Sequence, residues 1–254
     1  MVARCPAGGT LPGIGRGVRP LPGALYTDPG LEVGMMLTEP RFWIVALLLA
    51  GVLATVNAAA SEGEVAELEG TALLVIDIQA FYFPGGQLPL VGPEAAAANA
   101  GRLVERFRAA GRPVIHVQHL PKDVAAPDPI GIDPQYRIHP DVLPKQNEIV
   151  IGKHHANSFR DTELLAALRG LGVTRLVICG MQTHMCVEAA VRAAADLGFE
   201  VTVVRDACAT RALADNGVEV PAAQVHAAAL AAVASSYATV VSTADLLAQA
   251  GPLD

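Results

Sequence analysis

Residues 71–79 read TALLVIDIQ, a continuous apolar run that stops at Asp77. Apolar side chains on both alternating sets of positions mark a strand buried on both faces, and such strands belong to parallel sheets with helices on each side. Further runs of this kind are PVIHVQ (113–118), EIVIGK (148–153), TRLVICG (174–180), FEVTVVRD (199–206) and ATVVST (238–243). Helical patterns alternate with them. GPEAAAANAGRLVERFRAAG (92–111) opens with Pro93 at the first turn, places Leu103, Val104 and Phe107 at helical spacing, and ends on Gly111. DTELLAALRGLG (161–172) follows with Asp161 as its cap, then a helix from His184 to Leu197, PAAQVHAAALAAVASS (221–236) and the terminal ADLLAQA (244–250). Alternation of this kind with right-handed crossovers predicts an α/β fold: a doubly wound, Rossmann-like three-layer sandwich with a six-stranded, mostly parallel sheet. No G-x-G-x-x-G follows the first strand, so the fold does not imply a dinucleotide, and no cofactor is expected.

The 254 residues are 52% apolar, enough for one sizeable α/β domain, and carry a formal charge of −7. That balance leaves no basic footprint for nucleic acid. Residues 1–34 are rich in Gly, Pro and Arg without hydrophobic period, and read as a disordered leader or as upstream sequence from a misplaced start. Residues 35–60 carry Arg41, an apolar run from Phe42 to Val56, and small residues at Ala58 and Ala60. This is the pattern of a secretory signal peptide, with an uncleaved membrane anchor as the alternative. A linker (61–69) then leads into a domain at 70–250, expected in the periplasm or outside the cell. Membrane contact is expected only during export or through an uncleaved anchor. Beyond Cys5 the domain holds Cys179, Cys186 and Cys208, an odd number without metal-type spacing. A disulfide framework is not indicated.

In open parallel sheets, ligands bind beyond the carboxyl ends of the strands. Three reactive side chains lie at such ends: Asp77 after the first strand, Lys153 at the end of the third, and Cys186 just past the fourth, in GMQTHMCVEAAV (180–191). Taken singly each has an ordinary reading, as a turn cap, a surface lysine and a buried thiol. Together they supply what acyl transfer needs. A carboxylate takes the thiol proton, an ammonium favours the anionic forms, and helix N-terminal amides receive the oxyanion. The helix start at Cys186 is expected to lower its thiol pKa.

The stretches LLVIDIQAFY, IHPDVLPKQNEIVIGKHHANSFRDTELLAAL and LVICGMQTHMCVEAAVRAAADLGFEVTVVRDACAT resemble the isochorismatase-like cysteine hydrolases, in order and spacing over roughly residues 70–245. The resemblance implies a catalytic triad of Asp77, Lys153 and Cys186. It also implies a cis peptide at Gly180–Met181 that turns the Met181 amide toward the oxyanion beside that of Cys186. Presence of the cysteine favours amide chemistry over the vinyl-ether cleavage of the isochorismatase branch. The nicotinamidase branch carries an Asp-x-His metal pair after the second strand, where this chain reads HVQHLPKD with Gln118 and His119, so no metal is expected. The expected reaction is hydrolysis of a small amide or other C–N bond through a thioester, with nicotinamidase-type or isochorismatase-type hydrolysis as alternatives. Gln79, Phe81, Phe83, His155 and His184 are candidates for the substrate pocket, with His139 and His154 nearby. Homo-oligomers are common in the family and are expected here. A thiol redox protein, with Cys179 as resolving partner for Cys186, and a non-catalytic binding domain are the readings from other classes.

Overall fold

A computed structural model describes residues 68–131 and 133–249. The leader, the signal or anchor segment and most of the linker lie outside the described residues. Among the described residues no helix is long and apolar enough to cross a membrane.

The elements follow in the order β1 (Thr71–Ile76), α1 (Pro93–Ala109), β2 (Val114–His119), β3 (Ile149–Lys153), α2 (Leu164–Gly170) and β4 (Arg175–Met181). A π-helical turn, Thr183–Val187, runs into α3 (Glu188–Asp196), followed by β5 (Glu200–Ala209), β6 (Leu213–Asp215), β7 (Val218–Val220), α4 (Ala222–Ala234), β8 (Thr239–Val241) and α5 (Thr243–Gln249). Six strands form one sheet in the order β3-β2-β1-β4-β5-β8, and every pairing in it is parallel. The chain winds outward from β1 to β3, then crosses back to β4 on the other side of β1. The place for a ligand, the crevice of such sheets, is therefore beyond the carboxyl ends of β1 and β4, where the direction of winding reverses.

Every residue of β1 is buried, and its alternation divides the core in two. Leu73 and Val75 pack with Leu103, Val104 and Phe107 of α1 on one face. Leu74 and Ile76 pack on the other with Leu164 and Leu168 of α2, Ala190 and Val191 of α3 and Leu230 of α4. Pro93 stands in the first turn of α1, and Gly111 follows its end at φ +64, as the helix signals predict. Asp161 does not cap α2. The helix starts later, at Leu164 with Glu163 as N-cap, and Asp161 sits outside it at φ +55, its carboxylate 3.4 Å from His155 Nε2.

One element absent from the sequence reading is the antiparallel hairpin β6–β7. Its strands have three residues each and are largely exposed, so no hydrophobic alternation marks them. The signal that was available is Asn216-Gly217, both at positive φ, the residue pair that a two-residue hairpin turn requires.

At the edge opposite the crevice, Glu148 ties three segments together. Its carboxylate accepts from Arg108 Nε and Nη2 at 2.8 Å each and from the Lys145 amide at 2.8 Å, and lies 3.0 Å from His116 Nε2. Burial pushes this carboxyl up, but bonds from Arg108, Lys145 and His116 outweigh it and hold it down at about 2. A depressed folded pKa stabilises above the unfolded value of 4.5, and that contribution is lost as pH falls toward about 2. Glu148→Gln is expected to cost about 2 kcal/mol at pH 7, roughly 4–8 °C in Tm. Melts of both proteins at pH 7 and pH 2.5 check this: their Tm values should converge in acid, and an unchanged gap would refute it.

Candidate active site

Asp77 follows the last residue of β1 and turns out of the strand at φ +50, its amide donating to Val117 O at 3.0 Å. Lys153 closes β3, two strands away. Two strand spacings amount to about 10 Å, so only a long side chain running past β2 can meet a carboxylate at the end of β1. Lys153 does so: Nζ is 2.7 Å from Asp77 Oδ2, and both side chains are fully buried. The same Nζ donates to His155 O at 2.9 Å and to Cys186 Sγ at 3.3 Å, and lies 3.4 Å from His119 Nδ1. Asp77, Lys153 and Cys186 thus meet at the crevice that the topology defines.

Cys186 sits in the π-helical turn rather than in the first turn of an α-helix, and is 4% exposed. The carbonyl of Gln182 accepts from Met185 at 3.1 Å and Val187 at 3.2 Å, stepping over the Cys186 amide between them. The expectation of a lowered thiol pKa is reversed. Burial, and then the Asp77 carboxylate, push the Cys186 thiol up to about 12 against the opposing pull of Lys153. At neutral pH it rests as a thiol, beside a carboxylate able to take its proton. Burial pulls Lys153 down, but Asp77 and Cys186 outweigh it and hold it above the ordinary lysine value, as an ammonium. His119 is lowered by burial, and remains a neutral imidazole beside that ammonium.

Gly180 lets β4 approach β1 at this point. It has φ +138, and a Cβ there would lie 2.0 Å from Ile76 O. The cis peptide is Met181–Gln182, one bond beyond the expected Gly180–Met181. Met181 remains paired with Ala209 in the sheet, with its side chain in the core, so its place is in the ladder rather than in the turn.

The expected pocket residues divide. Gln79 is wholly buried and its amide is spent on backbone: Nε2 donates to His119 O at 3.0 Å and Tyr136 O at 2.8 Å, while Oε1 accepts from the His119 amide at 2.8 Å. Gln118 likewise donates to Asp128 O and Tyr136 O and accepts from the Asp128 amide. Two glutamines at strand ends therefore pin the long loop 120–147. Phe81 and Phe83 are core residues, Phe81 against Tyr82 and Tyr136 and Phe83 stacked on the His139 ring at 4.1 Å. His155 offers Lys153 its carbonyl, while its ring faces Asp161. His184 shares the π-helical turn with Cys186, and its Nδ1 is 2.5 Å from Thr210 Oγ1.

Sequence reasoning missed Tyr82 and Gln182. Gln182 Nε2 donates to Tyr82 Oη at 3.3 Å. Burial first, then the charges of Asp77 and Cys186, raise the Tyr82 phenol far above its usual value, which places a protonated hydroxyl beside the pair. Position in GMQTHMC was a signal for Gln182. Tyr82, in a three-residue 3-10 turn, had none.

All three cysteines of the domain are free and buried. Cys179 belongs to the core on the α1 face of the sheet and Cys186 to the core on the other, so the strand lies between them. Neither that separation nor the raised thiol suits the redox reading.

The sequence model of the isochorismatase domain matches residues 71–245. An uncharacterized isochorismatase family protein of Bacillus subtilis is 48% identical over 177 residues, covering 68% of this chain and 96% of its own. A solved isochorismatase from Pseudomonas putida KT2440 is 40% identical, with a TM-score of 0.64 over 70% of this chain and 90% of that one. The chain belongs to the isochorismatase family of hydrolases. Some relatives have names that specify a reaction. The streptothricin hydrolase of Streptomyces noursei is 38% identical over 165 residues (62% of this chain, 57% of that one), and the ureidoacrylate amidohydrolase of Azorhizobium caulinodans is 29% identical over 173 (55% and 76%).

Proposed function

We propose that this protein is a cysteine hydrolase that cleaves a small amide or other C–N bond through a thioester on Cys186. The observation that carries the reading is the single ammonium of Lys153, 2.7 Å from Asp77 Oδ2 and 3.3 Å from Cys186 Sγ. A thiol held up at about 12 needs a base in contact with it, and the buried carboxylate of Asp77 is that base. The amidohydrolase among the relatives supports C–N chemistry.

In the first half-reaction Asp77 takes the thiol proton as Sγ bonds to the substrate carbonyl carbon. Lys153 and the Cys186 amide receive the developing oxyanion. Collapse breaks the C–N bond, and Asp77 returns the proton to the leaving nitrogen. Water then attacks the thioester and gives a proton to Asp77. The acid departs, and the sulfur regains its proton from Asp77. Each half-reaction leaves the carboxylate as it began.

The test is incubation with a panel of small amides, followed by intact-protein mass spectrometry and peptide mapping. An acyl adduct is expected on Cys186 with substrates that turn over. Cys186→Ala is expected to lose at least about 10⁴-fold in turnover and to form no adduct. Wild-type turnover by that variant would refute the reading.

A further inference from the structure

Resting on the hydrolase reading, we propose that His119 is a positioning residue for that reaction: its Nδ1 holds, in the resting enzyme, the N–H of the Lys153 ammonium that turnover redirects to the oxyanion. The two residues are register partners at the carboxyl ends of β2 and β3. The backbone around His119 is fixed from both sides. Gln79, two residues beyond Asp77, accepts from the His119 amide at 2.8 Å and donates to its carbonyl at 3.0 Å, while the Leu120 amide donates to Lys153 O at 2.9 Å. With Lys153 Nζ 3.4 Å from His119 Nδ1 and 2.7 Å from Asp77 Oδ2, these contacts close a ring through the ends of β1, β2 and β3.

The chemistry of the ammonium defines the role. It has three N–H donors and no acceptor. Its shortest contacts are Asp77 Oδ2 at 2.7 Å and His155 O at 2.9 Å. One N–H is left for two further acceptors, Cys186 Sγ at 3.3 Å and His119 Nδ1 at 3.4 Å. That N–H is the one able to reorient toward an oxyanion built on the carbon that Sγ attacks, and His119 gives it a resting acceptor that adds no charge. Because Nζ only donates, the Nδ1 that faces it carries the lone pair, and the hydrogen of the neutral ring is on Nε2. A protonated ring would turn Nδ1 into a donor and set a second positive charge 3.4 Å from Nζ. Asp77 from the end of β1, Lys153 from the end of β3, and His154 and His155 from the segment after it surround the ring. Burial is the main influence and lowers its pKa; Asp77 opposes this, Lys153 and the two histidines add to it, and the ring is neutral at pH 7.

The kinetic test compares wild type, H119L and H119N on one hydrolysed amide, since asparagine keeps an acceptor near the position of Nδ1 and leucine does not. H119L is expected to lower kcat about 10- to 100-fold with KM within about threefold, and H119N to restore most of that loss. Equal losses in the two variants, or wild-type kcat in H119L, would overturn the positioning role while leaving the roles of Asp77, Lys153 and Cys186 intact. A readout that needs neither a substrate nor a variant is proton–nitrogen correlation NMR of the imidazoles in the wild-type protein. His119 is expected as the Nε2–H tautomer at pH 7, gaining its charge only below the ordinary histidine range. An Nδ1–H tautomer, or a charged ring at pH 7, would overturn the proposal even if no amide is hydrolysed.

Discussion

Asp77→Asn is expected to lower turnover by about 10³- to 10⁴-fold and to destabilise the fold by about 3–5 kcal/mol, whereas the double variant Asp77→Asn/Lys153→Met should regain most of the stability and none of the activity. The two losses have separate causes. Turnover falls because an amide can neither accept the thiol proton nor return it to the leaving nitrogen. Stability falls because Lys153 is 1% exposed and loses the one anionic partner it has among the described residues, leaving an ammonium buried between a carbonyl, a thiol and a neutral ring. Methionine keeps the length of the lysine stem and removes the charge, so the double variant no longer buries an unpaired ion. Urea titrations and steady-state assays on one hydrolysed amide read the two effects independently. Single and double variants of equal stability would show that the pair is not an isolated buried ion pair, and near-native turnover of Asp77→Asn would remove Asp77 from the chemistry.

Gly180→Ala is expected to be among the most damaging single-methyl changes in the chain. The added carbon meets Ile76 O at 2.0 Å and Ile76 N at 2.8 Å, both backbone atoms of the central strand, at a φ of +138 that other residues rarely adopt. Relief requires β1 and β4 to separate at the register pair Ile76–Gly180, the point that carries Asp77 on one side and leads to Cys186 on the other. A loss of about 3–5 kcal/mol is expected, with slower Cys186 alkylation in whatever protein folds. Gly85→Ala is the control, since nothing lies within 4 Å of a Cβ there, though its own positive φ makes a smaller cost of about 1 kcal/mol the expectation. Equal melting of the two variants would contradict the close approach of the strands.

Much of the fold was legible because its signals are local. Runs such as TALLVIDIQ and TRLVICG declare buried parallel strands by composition alone, and Pro93 and Gly111 bound α1 by backbone chemistry that needs no partner. The β6–β7 hairpin was written in Asn216-Gly217 but not in hydrophobic period, because its strands cover no core. Gln79 shows the limit of reading a site by nearness in sequence. Two residues from Asp77, it points into the loop that it pins rather than into the crevice.

The sequence by itself determined a doubly wound sheet, the strand ends at which Asp77, Lys153 and Cys186 stand, and the family to which they belong. Periodicity and turn chemistry act within a few residues, and topology then places strand ends together. Only the tertiary structure decided the protonation state of the thiol. A cysteine near a helix start reads as acidic in isolation, yet its burial against the Asp77 carboxylate, contributed from a chain position more than a hundred residues away, outweighs that local field and makes it a thiol in need of a base.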